Sequence, residues 1–348
     1  MKKMICSGIA ALGCMAAACA QDAGAPAQAN RSAEWKANFA LAVKDESKVA
    51  AAIAAIPEAQ RAEFATAVLS VLQTKPTDKA SWAKNYSDTA AALIDGAGKS
   101  KAAVLSAVAA DVVLASVKGE ARELNSKSAA DLGLLAKDIS SQLKGDDRAA
   151  FDNALLQAAS KQKAVDGTAH KESICAVAVG SFVGAGDAKK ASFAETFAVV
   201  GLDDLGAVSA TFANLFNQRN NNLSDEEYQK VALQYLQGLA TRLAGQPDAA
   251  KRFAYALEAL QNAATNSDLF GQELKGKIAE LTGKTGTTPE NLVAANADLS
   301  ANQTLANRVT SLLSAVSRRG HHEGPQGPFG LPFIVGPNRP PAYQDQSI

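Results

Sequence analysis

Apolar residues recur along this chain at the spacing of one helix face, while β-branched runs at strand spacing are nearly absent. Phe64, Ala67, Val68, Val71 and Leu72 fall at i, i+3, i+4, i+7 and i+8. Phe151, Ala154, Leu155 and Ala158 repeat the pattern, as do Phe253, Ala256, Leu257 and Leu260. That spacing lines each set along one stripe of an α-helix, about 100° wide, which must be buried against a neighbour. Alanine, about a fifth of the 348 residues, favours helices and lets them approach closely. The expected fold class is all-α. Repeated antiparallel helical hairpins would form a helical bundle or an α-solenoid-like array, with a signal peptide before it and an extended Pro/Gly-rich tail after it.

The three phenylalanine-centred stretches extend into longer similar segments. AAIAAIPEAQRAEFATAVLSVL, DISSQLKGDDRAAFDNALLQAA and LATRLAGQPDAAKRFAYALEAL each show an apolar helix end, a Pro- or Gly-containing turn, a basic residue and a phenylalanine. The phenylalanines stand 87 and then 102 residues apart. An independent landmark, Gly96-Ala97-Gly98, recurs 88 residues later as Gly184-Ala185-Gly186. Each short turn predicts a pair of antiparallel helices, and periods of this kind mark repeat architectures. The expected units are residues 34–120, 121–222 and 223–319.

One stretch imitates a phosphate-binding loop. Leu93-Ile94-Asp95-Gly96-Ala97-Gly98-Lys99-Ser100 ends in Gly-Lys-Ser, but the glycine required five residues before the last one is Leu93. Such a loop also needs a buried strand leading into it, whereas SDTAAALI is helix-like. The counterpart 88 residues on replaces Lys99-Ser100 with Asp187-Ala188. These features predict inter-helix turns, and no cofactor is assigned.

The ends and the charge bound the setting. In MKKMICSGIAALGCMAAACA, two lysines, a short apolar stretch and Ala18-Cys19-Ala20 follow the order of an export signal cleaved after residue 20. Lipid anchoring through Cys14 or Cys19 is the alternative outcome. Residues 21–33 have the composition of a flexible spacer. Cleavage would leave Cys175 as the single thiol, so burial and not disulfides must hold the fold. Loss of Lys2 and Lys3 would leave 33 basic against 35 acidic residues. So balanced a surface gives no electrostatic reason to expect nucleic acid as a partner. Charges and glycines interrupt the apolar stretches, so no transmembrane span is expected.

The best-specified helix start is Leu223-Ser224-Asp225-Glu226-Glu227, a capping box predicted between Ser224 and Glu227. Its buried face should carry Tyr228, Val231, Tyr235, Leu236, Leu239 and Leu243. Thr288 and Pro289 predict a second start, as N-cap and first helical residue. Residues 320–348 change character: six prolines forbid a helix and favour extended chain. Within them Phe329, Leu331, Phe333, Ile334 and Val335 concentrate apolar surface and form a candidate docking segment.

Chemistry-bearing groups are sparse. The three histidines are His170, His321 and His322, and the adjacent pair lacks the spacing of a closed metal site. Cys175 lies in the apolar stretch SICAVAVGSF and reads as a buried small hydrophobe. His170, five residues away, is poorly aligned to activate it. The paired acids Asp146-Asp147, Asp203-Asp204 and Glu226-Glu227 suit helix starts, where the dipole favours negative charge. No catalytic, cofactor-binding or metal-ligating residue is assigned from this pattern. The expected role is that of an exported helical-repeat protein, binding or scaffolding in the bacterial cell envelope or extracellular space. An envelope protein or a polysaccharide is the expected partner, with the ligand's identity and the oligomeric state left open. The same body as a membrane-anchored lipoprotein, and a hydrolase whose site lacks a sequence motif, are the alternatives.

Overall fold

The computed structural model describes residues 48–73, 79–117, 122–266 and 274–320, together with residues 33, 35 and 270. The expected leader (1–20), the spacer (21–33) apart from residue 33, the tail (321–348) and the docking segment Phe329–Val335 lie outside the described residues. Fourteen α-helices make up the described body: α1 (Val49–Ala55), α2 (Arg61–Leu72), α3 (Lys79–Asp95), α4 (Lys101–Ser116) and α5 (Ser126–Gln142). They continue as α6 (Gly145–Lys161), α7 (Gly167–Gly184), α8 (Lys189–Val199), α9 (Leu205–Phe216) and α10 (Asp225–Arg242). The last four are α11 (Ala249–Ala263), α12 (Lys275–Thr285), α13 (Pro289–Ala301) and α14 (Gln303–Gly320). The only β-type pairing among the described residues is an isolated bridge between Leu124 and Ala164. The fold is all-helical.

Local chemistry sets the helix starts. Ser224 accepts from the Glu227 amide while the Glu227 carboxylate accepts from the Ser224 amide, the reciprocal arrangement of a capping box. Thr288 caps α13 with Asn291 in the same way, and Pro289 occupies the first turn, where its missing N–H costs nothing. Asn125 and Asp166 accept amides at the starts of α5 and α7. On α10 the residues Tyr228, Tyr235, Leu236, Leu239 and Leu243 are buried and Val231 is half-buried, as the spacing predicts. Phe64, Phe151 and Phe253 are all fully buried.

Packing follows a different order from the chain. Extensive contacts join helices two apart: α1 with α3, α3 with α5, α5 with α7, α7 with α9, α9 with α11, and α11 with α13. The even-numbered helices α2, α4 and α6, and α8, α10 and α12, are linked likewise. Sequence neighbours, expected to be the main partners as hairpins, also touch: α6 and α7 meet as extensively as α3 and α5, and α10 and α11 more than α10 and α12, while α1–α2 and α5–α6 share smaller contacts. Each short turn carries the chain across to the other row, so the helix alongside is the next but one. Phe64 on α2 and Phe151 on α6 therefore sit in the even row, four helices apart. Phe253 on α11 is five helices further and sits in the odd row.

Three glycines make the odd row close. A methyl group on Gly180 of α7 would stand 2.3 Å from the Gly133 carbonyl oxygen of α5, and one on Gly184 would stand 2.3 Å from that of Lys137. Gly96 at the end of α3 meets the Ala50 carbonyl of α1 in the same way, also at 2.3 Å. Ring contacts among Phe182, Phe193, Phe212, Phe216 and Tyr235 tie α7, α8, α9 and α10 into one core. The final helix α14 then returns over α5, α7 and α9, burying Ala306, Val309 and Leu313. No single helix among the described residues is long and apolar enough to cross a membrane.

Candidate functional site

The return of α14 creates a recess where the α13–α14 turn meets the first turn of α7. It has a volume of about 540 Å³ and is lined by Thr168 and Lys171 from α7, Asn302 from the turn, and Thr304, Leu305 and Arg308 from α14. Asp166 fixes the mouth of α7 by accepting the Ala169 amide at 2.7 Å. Asn302 donates to the Asp298 carbonyl at 2.8 Å and to its carboxylate at 3.1 Å, which holds the turn. Tyr255 donates to the other Asp298 oxygen at 2.9 Å, so α11 braces the same corner.

Arg308 links the recess to the interior. Its Nη2 lies 2.5 Å from Glu172 Oε1, on a residue with no exposed surface, and donates to Ser126 Oγ at 2.9 Å. The contact is one of proximity: neither Glu172 carboxyl oxygen makes a hydrogen bond, and the Arg308 side chain is about half exposed. Beside it, His170 Nε2 stands 3.6 Å from Asp204 Oδ2. Burial pushes the Asp204 carboxyl upward, against the opposing pull of His170 and Lys171. Two cationic side chains, two hydroxyls and an amide around a partly apolar floor suit a hydroxylated or acidic ligand.

The sequence singles out His170, and Asp204 only as half of an acidic pair at a helix start; neither their pairing nor the recess is legible in it. The recess residues are Gly167, Thr168 and Lys171 on one side and Ala301, Asn302, Thr304, Leu305 and Arg308 on the other, and no local motif announces that such distant segments meet. Cys175 is fully buried with its thiol pushed up to about 12 by burial, so it is not a nucleophile in the native state. Among the described residues no group of three or more His, Cys, Asp and Glu side chains could hold a metal ion. The phosphate-loop look-alike is a helix–helix junction: Leu93 and Ile94 are buried on α3, and Gly98–Ser100 forms a 3₁₀ turn leading into α4. Compared with protein-family models, curated proteins and solved structures, the chain matches none.

Proposed function

We propose that this chain is an exported helical-repeat protein that binds or scaffolds in the bacterial cell envelope or outside the cell, with the α7–α14 recess as its ligand site. The observation that carries the reading is the recess itself, a cation-bearing hollow of mixed polar and apolar lining built by three elements and bordered by the Arg308–Glu172 ion pair. Its chemistry favours an acidic polysaccharide over an apolar ligand, since Lys171 and Arg308 can hold carboxylates while Thr168, Asn302 and Thr304 meet hydroxyls.

The repeat reading has its own support in the first two units. The Gly96 and Gly184 turns share backbone angles: Ala97 is at φ −69°, ψ −21° and Ala185 at φ −67°, ψ −14°. Gly98 and Gly186 are both left-handed, at φ +55° and +52°. Each preceding glycine rests on the carbonyl of a residue 87 positions from its counterpart, Ala50 or Lys137.

Sedimentation with acidic and neutral cell-wall glycans tests the site. Wild type should pellet with the acidic glycan, and Lys171→Glu should lose most of that binding while keeping its helical signal. Equal binding by both proteins would remove the recess from consideration. The hydrolase reading is kept by one observation, the His170–Asp204 pair, whose histidine adjoins the recess residue Lys171 in sequence. If the pair is a general base, His170→Asn abolishes glycan cleavage; without cleavage by wild type that reading fails. Intact mass distinguishes lipidation at Cys14 or Cys19 from release after residue 20.

A further inference from the structure

The two corners related by 87–88 residues hold the same arginine in two different positions. In the first, Arg61 at the start of α2 turns outward. Its Nε donates to the Ile56 carbonyl at 2.9 Å, Nη2 to that of Ala54 at 2.9 Å, and Nη1 to that of Ala97 at 2.8 Å. Three charge-assisted bonds thus clamp the end of α1 to the Gly96–Gly98 turn. The interior behind the clamp is apolar, with Ile53, Ala65 and Leu93 all fully buried.

In the second corner the equivalent residue, Arg148, turns inward. Its Nη1 lies 3.2 Å from Asp152 Oδ2, and its Nε has no hydrogen-bond partner. The positions of Ile53, Ala65 and Leu93 are taken by Ser140, Asp152 and Ser181, all buried. Ser140 Oγ donates to the Asp152 carboxylate and Ser181 faces it. The outward seat is open: a methyl group on Gly186 would meet nothing within 4 Å, whereas one on Gly98 would stand 2.8 Å from Arg61 Nη1. Stability does not require the polar cluster, because the first corner fills the same places with hydrocarbon, and buried ion pairs replaced by apolar groups are often as stable or more so.

We propose that Arg148 is a two-position latch set by the protonation of Asp152. The ionised carboxylate holds the guanidinium inside. A proton taken from solvent neutralises it, and Arg148 swings out to the carbonyls of Ser141, Leu143 and Ala185, the counterparts of those Arg61 holds. The α5–α7–α8 corner is then clamped as the α1–α3–α4 corner is.

Burial is the main influence on Asp152 and pushes it up to about 6, with Ser140, Arg148 and Ser181 pulling the other way. Charged groups on the other helices against α6 are engaged elsewhere. Lys101 of α4 pairs with Asp147 at 2.7 Å. Glu195 of α8 accepts from Asn153 and pairs with Arg242 of α10 at 2.8 Å. Lys189 at the start of α8 lies over the Phe182 ring at 5.7 Å. From α5 and α7 the cluster receives the hydroxyls of Ser140 and Ser181.

Hydrogen exchange of the 184–188 turn, corrected for the intrinsic pH dependence of exchange, tests the latch on the intact chain. Wild type should show roughly tenfold or greater added protection at about pH 5 than at about pH 7.5, the scale of charge-assisted bonds gained. The change should centre near pH 6. Asp152→Asn should be protected at both pH values and Arg148→Ala at neither, while the 96–100 turn stays protected throughout. Equal protection of the wild-type 184–188 turn at both pH values overturns the proposal, as does Asp152→Asn behaving like wild type at pH 7.5. The wild-type titration decides alone if a variant does not fold.

Discussion

Replacing Gly180 by alanine gives the most demanding test of the packing. The new methyl group would stand 2.3 Å from the Gly133 carbonyl oxygen and 3.1 Å from Ala136 Cβ. An ordinary contact needs more than 3 Å, so α5 and α7 must separate by roughly 1 Å along their closest line of approach. Overpacking of this kind costs about 3 kcal/mol, at the upper end of its range, because the obstacle is backbone and not a side chain that can rotate. Alanine in place of glycine returns about 1 kcal/mol of helix propensity. A net loss of about 2 kcal/mol should lower the melting temperature by roughly 3–4 °C in a chain of this size.

Gly276 of α12 is the matched control. A methyl group there meets nothing within 4 Å, so the propensity gain stands unopposed. Gly276→Ala should therefore raise the melting temperature by about 1–2 °C. Thermal and urea unfolding followed by circular dichroism at 222 nm would read both variants. A Gly180→Ala protein as stable as wild type would refute the close approach of α5 and α7. Destabilisation by Gly276→Ala of similar size would refute the contrast on which the reasoning depends.

Other expectations follow from the buried polar groups and the caps. Asp152 has its folded value raised from 3.8 to about 6, so its penalty is present above pH 6 and is relieved as the pH falls toward 4. Wild type should accordingly gain about 2 kcal/mol relative to Asp152→Asn between pH 7 and 4; urea midpoints that run parallel across this range would contradict it. Cys175, buried and with its thiol raised, should resist iodoacetamide in the native protein and react fully in urea, as intact mass would show. Ser224→Ala removes one half of the α10 capping box and should cost about 1 kcal/mol, measured by urea unfolding.

Much of the secondary structure was legible because helix signals are local. The Ser224 capping box, the Thr288-Pro289 start and the buried stripe from Tyr228 to Leu243 each lie within a few turns of chain. The exclusion of a phosphate loop at 93–100 was equally local, resting on the helical approach and the misplaced glycine. The partners of those helices were less legible. Short turns suggested hairpins between neighbours, yet a turn fixes only which segment comes next and not which surface it meets. The candidate recess was hidden for the same reason: Lys171 and Arg308 are 137 residues apart, and neither belongs to a motif.

Sequence alone determined that this chain is helical, that helices start after Ser224 and Thr288, and that Phe64, Phe151 and Phe253 are buried, because period and capping act through neighbouring residues. Tertiary structure decided that helices two apart lie side by side and that α14 returns over α5, α7 and α9. It also decided that Arg61 faces out while Arg148 faces in. The sequence around the two arginines is alike; what separates them is whether the space behind holds Ile53, Ala65 and Leu93 or Ser140, Asp152 and Ser181. A charge goes where its solvation is best replaced, and that depends on side chains brought together from three helices.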